Sequence, residues 1–218
     1  MPVLLALTTE ISCMSTHLNF INRSSDTNHS QIVIFQKNVA TGVDELAVAW
    51  RVIQNCGVSD NYPFTFPQSM DISASDSWGN YTQRRATQHG EMHHVALAGS
   101  GDMLLPCGPA TSSREVQVRN DLSMGAISVG IYRDGRLLAL KSNIAPGQKA
   151  VFEFKPTICI GAVPQAEPGA VMNSAILSDV NTELSLLGIA SADIVMTGGG
   201  PGRNPPPFSF TLENVVMA

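Results

Sequence analysis

The sequence has little charge. Asp, Glu, Lys and Arg make up 14% of its 218 residues, against roughly 25% in ordinary soluble domains. Exposed helices carry much of the Lys and Glu of a typical domain, so this shortage disfavours a helical surface. The 18 glycines and 13 prolines supply turn chemistry instead, which is typical of many short strands. A hydrophobic content of 44% is ample for a sizeable core.

Clustered basic residues are also absent. The 13 Lys and Arg residues are scattered along the chain, and the formal net charge is −5. A protein that binds nucleic acid must neutralise phosphates with grouped Lys and Arg. The sequence therefore argues against nucleic acid as a partner.

No cysteine belongs to a C-x-x-C pair, which disfavours a zinc knuckle. The four cysteines are Cys13, Cys56, Cys107 and Cys159. A chain of this length does not need a disulfide framework to fold. We therefore expect reduced, unpaired thiols and a cytoplasmic location, with secretion by a route without a signal peptide left open.

Long hydrophobic runs are missing as well. The apolar residues 2–7 lack a basic segment before them, and Glu10 follows closely, so they make a poor secretory signal. They are also far too short to span a membrane, and no other stretch approaches that length. Met14 reads as a natural start before the first strand, so residues 1–13 are predicted to be an extension outside the core.

An internal echo is the main feature that is present. Residues 63–72 and 151–160 share the same apolar pattern without a gap, at an offset of 88 (152 − 64). The matched pairs are Phe64 with Phe152, Phe66 with Phe154, Met70 with Ile158, and Ile72 with Ile160. The pattern indicates a strand at the same place in each of two related halves.

A second echo precedes the first in each half. Asn22 corresponds to Asn120 at an offset of 98 (120 − 22), and Phe35 corresponds to Tyr132 at an offset of 97 (132 − 35). The falling offset indicates that the first half carries about ten additional residues (98 − 88), which we place within residues 39–61.

These patterns predict an all-β fold. Short strands at a spacing of roughly 8–12 residues, with turn residues between them, are typical of antiparallel sandwiches and barrels. We expect an antiparallel Greek-key or jelly-roll-like β-sandwich built from two pseudo-repeated halves. Residues 14–218 would form one domain, with halves at about 14–105 and 113–218. The short uncharged linker 106–113 favours halves that are packed together.

One pattern suggests a metal site. His89, Glu91 and His93 would share one face of an extended strand, because residues two apart point the same way. Two imidazoles and a carboxylate form the ligand set of non-haem iron and catalytic zinc sites. A straight strand would hold them in a row, so a bulge at Gly90 or a ligand from His17 or His29 would be needed. The alternative interpretation is a polar strand that faces solvent.

A second pattern suggests a binding site in loops. Tyr62, Trp78 and Tyr81 flank the strand at residues 63–72, and Asn80 lies among them. Aromatic rings beside Asp, Asn and Ser are typical of sites for sugars or lipid headgroups. The second half has no matching aromatics, as expected if one half had gained a site. The alternative is that Trp78 and Tyr81 cover the open end of a sandwich.

The sequence therefore favours a non-catalytic binding or structural protein. Its predicted partner is a small ligand, a glycan or a lipid surface, recognised through Tyr62, Trp78, Asn80 and Tyr81. The low charge also favours a homo-oligomer, since monomers usually keep charged strand edges. The alternative function is a metal-dependent enzyme with a divalent ion at His89, Glu91 and His93. A third possibility, a purely structural assembly protein, predicts neither a ligand nor a metal.

Overall fold

The computed structural model describes residues 15–40, 47–172, 182–201 and 204–218. These residues form sixteen strands and no helix, so the fold is all-β. None of the described segments is a helix of the length and apolar character needed to cross a membrane. The predicted extension at residues 1–13 lies outside the described residues.

The strands follow the chain in order. Their bounds are β1 Ser15–Asn22, β2 Gln31–Phe35, β3 Arg51–Ile53, β4 Asn61–Pro67, β5 Met70–Ser75, β6 Arg85–Thr87, β7 Glu91–Ala98, β8 Gly101–Pro109, β9 Glu115–Asn120, β10 Ile127–Arg133, β11 Arg136–Ile144, β12 Lys149–Glu153, β13 Thr157–Val163, β14 Thr182–Ser185, β15 Ile189–Thr197 and β16 Ser209–Met217.

The strands form four sheets of four. Their orders are β16-β15-β1-β4, β12-β9-β7-β8, β14-β13-β2-β3 and β11-β10-β5-β6. Pairing is mostly antiparallel, as expected, but β1 pairs with β15 and β7 pairs with β9 in parallel. The wholly antiparallel prediction was therefore wrong at these two places. Both partners are brought together by long connections, and only hairpin-linked neighbours must be antiparallel.

The strand orders of the first eight and last eight strands correspond. Adding eight to the numbers of β1, β4, β7 and β8 gives β9, β12, β15 and β16. Exchanging the two members of each such pair converts the sheet β16-β15-β1-β4 into the sheet β12-β9-β7-β8. The same operation relates β3-β2-β13-β14 to β11-β10-β5-β6. Every sheet thus contains strands from both the first eight and the last eight. Neither set of eight strands completes a sheet without the other.

The strand registers agree with the offsets in the sequence. Phe64 of β4 faces Leu18 of β1, and Phe152 of β12 faces Val116 of β9. These two pairs are related by the offsets 88 (152 − 64) and 98 (116 − 18). The eight residues of the apolar echo are all at most 8% exposed. The repeated strand is therefore part of the scaffold.

One large core cluster joins the four sheets. It includes residues from opposite halves, such as Phe20, Trp50, Ile72, Phe152 and Ile194. A second, smaller cluster lies on the other side of β2 and β13 and contains Phe35, Cys159 and Met172.

The second cluster explains why β2 is apolar throughout. Its sequence, Gln31–Phe35, has no polar residue after the first position, because both of its faces are covered. Cys159 and Ile158 fall in different clusters, since neighbouring residues of a strand point to opposite faces. Among the described residues, Cys56, Cys107 and Cys159 are free thiols.

The connection between the halves is shorter than predicted. Residues 106–109, assigned to the linker from sequence, lie in β8, which pairs with β7 as far as Pro109. The connection therefore comprises residues 110–114, and β9 begins at Glu115. Proline in a strand is tolerated here because β8 is at the edge of its sheet.

Two buried asparagines end corresponding strands in the same way. The side-chain amide of Asn120 donates to the carbonyl of Ile144 at 2.8 Å, and its oxygen accepts from Leu122 N–H. Asn22 likewise donates to the carbonyl of Cys56 at 2.8 Å and accepts from Ser24 N–H. Each asparagine therefore joins the end of its own strand to the turn that precedes β4 or β12.

Asn120→Ala should destabilise the protein by about 2–4 kcal/mol, because buried backbone groups would lose their partners. The side chain is fully buried and also donates to the carbonyl of Gly125. Urea unfolding measures the change. Asn61→Ala, at an exposed strand position, is the matched control and should change stability by less than about 0.5 kcal/mol. Equal losses in the two variants would contradict this role of Asn120.

Candidate functional site

The loop between β5 and β6 presents Trp78 to solvent. The carboxylate of Asp76 accepts from the backbone N–H of Trp78 and of Asn80, both at 2.9 Å, and from the side chain of Asn80 at 2.8 Å. Gly79 has φ 86°, a left-handed conformation that glycine adopts at little cost. This bonding fixes the loop while Trp78 remains 88% exposed. The aromatic ring is thus displayed by a structured turn.

These hydrogen bonds also hold the Asp76 carboxyl in its charged form. The pKa of Asp76 is lowered, first by the side-chain hydrogen bond from Asn80 and then by the backbone bonds. A lowered pKa means that the carboxylate persists to more acidic pH than in an unfolded chain. The loop is therefore organised throughout the neutral range.

A cavity of about 450 Å³ lies beside this loop. It is lined by residues from three stretches of the chain: the end of β5 and the loop that follows it, β7 with the beginning of β8 and the turn between them, and the start of β10. The lining residues are Ala74, Ser75, Asp76, Asn80, Tyr81, Thr82, Val95, Ser100, Gly101, Asp102 and Ile127. The predicted residues Asn80 and Tyr81 are therefore part of a concave surface, and Trp78 lies between two lining residues in the chain.

The cavity has an apolar floor and a polar opening. Ala74, Val95 and Ile127 are buried, whereas Asn80, Tyr81 and Asp102 are exposed. The Asp102 carboxylate has no hydrogen bond or ion pair with any residue that the structure describes. The lining contains no Lys or Arg. Such a surface offers hydrogen-bond acceptors and an aromatic face to a ligand that carries no negative charge.

Sequence reasoning did not find the contribution of residues 100–102 to the site. Ser100 lies in the turn between β7 and β8, and Gly101 and Asp102 begin β8, about twenty residues from the Trp78 loop (100 − 78 = 22). Serine, glycine and aspartate are the ordinary composition of a turn, so no local signal distinguishes this one. Only the packing of the sheets brings it beside Tyr81.

Tyr62 lies elsewhere. Its hydroxyl accepts from Arg51 at 3.3 Å, and the Arg51 guanidinium packs over the rings of Trp50 and Phe64 at 4.9 and 5.1 Å. Arg51 is buried and also pairs with Asp134 at 3.0 Å. Tyr62 is therefore not among the residues of the cavity, and its contacts cover a buried arginine.

The predicted metal ligands do not lie along one strand. His89 precedes the turn at Gly90, where φ is 88°, and β7 begins only at Glu91. Nδ1 of His89 donates to the carbonyl of Arg114 at 2.8 Å. The Glu91 carboxylate accepts from the N–H of Gln88 at 3.0 Å. The described residues contain no group of three or more His, Cys, Asp or Glu side chains that could hold a metal ion.

His93 occupies a core position. It is 3% exposed, and its Nδ1 has no hydrogen-bond partner among the residues that the structure describes. In the parallel pair of β7 and β9, His93 faces Val118. In the parallel pair of β15 and β1, Ile194 faces Phe20. Phe20 and Val118 are themselves related by the sequence offset of 98 (118 − 20). Ile194 is fully buried. His93 thus stands where the corresponding strand has isoleucine.

A neighbouring ion-paired cluster attaches β7 to the end of β9. The carboxylate of Asp121 accepts from Arg119 at 2.8 Å and lies 2.7 Å from Nδ1 of His94. The hydrogen bond from Arg119 is the largest influence that lowers the pKa of Asp121 to about 2. These contacts fix the beginning of the loop that leads to Ile127 and the cavity.

Comparisons with known proteins found no match. No family model, curated protein or solved structure is similar to this chain.

Asp76→Ala should loosen the loop that carries Trp78, because the three hydrogen bonds that the carboxylate accepts would be lost. Time-resolved fluorescence anisotropy should show faster local motion of Trp78, while the buried Trp50 supplies an unchanged background. Asp76→Asn retains an acceptor oxygen and is the matched control, with a smaller effect.

In the native protein, the loop that carries Trp78 should remain ordered as pH falls below 3.8, the ordinary pKa of the Asp76 carboxyl. This order should be lost as pH falls through the lowered pKa. Loss of order already above that value would contradict this role.

His93→Ile should stabilise the protein by about 1 kcal/mol or more, because it removes an unpartnered buried nitrogen. Burial lowers the pKa of His93, so the unfolded chain takes up its proton more readily than the folded protein does. The native protein should therefore lose stability as pH falls below about 6.5, and the variant should lose less. Urea unfolding between pH 5 and 8 tests this, with exposed His17→Gln as control. A destabilised variant at every pH would show that His93 has a stabilising role.

Proposed function

We propose that the protein is a non-catalytic binding protein whose cavity takes a small polar ligand, with a glycan as the class that fits it best. The observation that carries this proposal is the joint placement of Asn80, Tyr81 and two carboxylates around one cavity of about 450 Å³. Trp78 extends from the same loop and is 88% exposed.

The chemistry of the lining matches that of a sugar. Sugar hydroxyls both donate and accept hydrogen bonds, and the Asp102 carboxylate and the amide oxygen of Asn80 are available acceptors. The C–H face of a pyranose packs on an aromatic ring, and Tyr81 is 71% exposed. The absence of Lys and Arg from the lining disfavours phosphorylated or otherwise anionic ligands.

Tyr81→Ala should weaken glycan binding about tenfold or more, because it removes the aromatic face of the site. A glycan array would identify the ligand, and isothermal titration calorimetry with that soluble ligand would measure affinity. Asp102→Asn should weaken binding less, because the amide keeps one acceptor. Tyr62→Phe is the matched control and should bind normally. Unchanged binding by Tyr81→Ala, or no glycan bound by the native protein, would exclude this function.

A metal-dependent enzyme that uses His89, Glu91 and His93 is the second candidate. The observation that favours this enzyme is the unpartnered Nδ1 of buried His93. However, His89 already donates to a backbone carbonyl, and the Glu91 carboxylate already accepts from a backbone N–H. Metal analysis of the purified protein distinguishes the two candidates. Stoichiometric metal that is lost in His93→Ala would support the enzyme, and absence of metal would eliminate it.

We also propose that the chain comprises two related halves in one Greek-key sandwich. The corresponding strand orders, the matching registers and the equivalent bonding of Asn22 and Asn120 support this relation. A homo-oligomer remains a further proposal from the low charge of the sequence. The strands at the edges of the four sheets would offer it pairing surfaces.

A further inference from the structure

Four large side chains with apolar surface are strongly exposed around the opening of the cavity. Trp78, Tyr81, Leu97 and Met124 are 88%, 71%, 76% and 79% exposed. Trp78 and Tyr81 lie in the loop after β5, Leu97 lies near the end of β7, and Met124 lies in the loop that joins β9 to β10. We call these four residues the apolar rim. Exposure of this kind at one place marks an interaction surface.

Strand pairing places Leu97 at the cavity. Leu97 faces Asp102 across the β7–β8 pair, and directly opposed residues of an antiparallel pair point to the same side of the sheet. Val95 is two residues before Leu97 and shares that side. Both Asp102 and Val95 line the cavity, so Leu97 continues the same surface outward.

The loop of Met124 begins and ends beside the cavity. Asp121 N–H donates to the carbonyl of Val95 at 2.9 Å, and the loop leads into Ile127, which lines the cavity. Asn120 anchors the loop further by donating to the carbonyl of Gly125 at 3.0 Å. Met124 is therefore held near the opening by both ends of its loop.

The arrangement is the reverse of an ordinary protein interface. Interfaces between proteins have an apolar centre and a polar rim, whereas here the polar opening of the cavity lies between the side chains of the apolar rim. Trp and Tyr with neighbouring aliphatic side chains are typical of segments that enter the boundary between headgroups and acyl chains. A polar cavity enclosed by such a rim would face the headgroups.

Charge selects the kind of membrane. Residues 76–82, 97–102 and 121–127 contain no Lys or Arg. Asp76 and Asp102 contribute negative charge there, whereas Asp121 is paired with Arg119. Anionic lipids attract basic segments, so this end of the molecule would be repelled by them. A zwitterionic phosphatidylcholine surface, whose outermost group is a quaternary ammonium, is complementary to carboxylates at the opening.

We propose that the apolar rim seats the protein on the surface of a zwitterionic lipid bilayer. Leu97 and Met124 enter the interface beside Trp78 and Tyr81, and the cavity faces the headgroup layer. The inference goes beyond the proposed glycan binding, because Leu97 and Met124 do not line the cavity and a soluble ligand would not require them.

Co-flotation with phosphatidylcholine vesicles tests this proposal. The native protein should bind the vesicles, and Leu97→Ser and Met124→Ser should each weaken partitioning about tenfold, because each removes an apolar side chain that would enter the bilayer interface. Leu187→Ser is the matched control, since Leu187 is 70% exposed but lies in the turn before β15. Binding should be insensitive to salt and weakened by added phosphatidylserine.

Tryptophan fluorescence supplies an independent measurement. Brominated phosphatidylcholine should quench emission from exposed Trp78, while Trp50, which is fully buried, should be unaffected. The quenching should disappear in Trp78→Phe. Leu97→Ser and Met124→Ser should retain native thermal stability and soluble-glycan affinity, since neither residue lines the cavity, which separates this proposal from that of the cavity.

Several results would overturn the inference. No flotation of the native protein, an equal loss in Leu187→Ser, or binding that requires anionic lipid would each exclude it. A concentration-dependent dimer that Leu97→Ser abolishes, without vesicle binding, would instead assign the rim to contact between two copies of the chain.

Discussion

Two parallel strand pairings hold this structure together. β15 lies beside β1, and β7 lies beside β9. The first of these pairs residues such as His17 and Ser191 that are 174 positions apart (191 − 17). Each pairing completes a sheet with strands from both halves of the chain. The apolar surfaces of either half therefore find their partners only when both halves are present.

This exchange of strands has consequences for folding. Contacts between residues far apart in sequence require closure of long loops before any burial compensates the lost entropy. Slow, cooperative folding of the whole chain is expected from such a topology. It also means that the two halves, though similar in strand order, are unsuited to be expressed as separate domains.

The candidate site depends on a difference between otherwise corresponding connections. β7 and β8 are joined by only residues 99–100, whereas residues 198–208 join β15 to β16. Phe208 of the longer connection packs against the main core, and Gly199 lies against its ring. The short turn instead leaves the cavity beside Tyr81 open. The two connections thus differ in length and in what they cover.

The sequence by itself determined the all-β class, because alternation and turn chemistry are local properties. It determined the buried echo, since Phe64 and Phe152 must point inward for their strands to have an apolar face. It also indicated the Trp78 loop, where aromatic residues stand beside Asp76 and Asn80. Each of these conclusions depends on neighbours within a few residues.

Only the tertiary structure decided which strands are neighbours and which loops meet. The two parallel pairings, the separation of Tyr62 from Tyr81, and the approach of Asp102 to the Trp78 loop follow from long-range packing, which local patterns do not encode. The same holds for His93, which its spacing from His89 and Glu91 suggested as a metal ligand. Its place in the parallel pair with β9 buries it, because burial is a property of the assembled sheets and not of the strand.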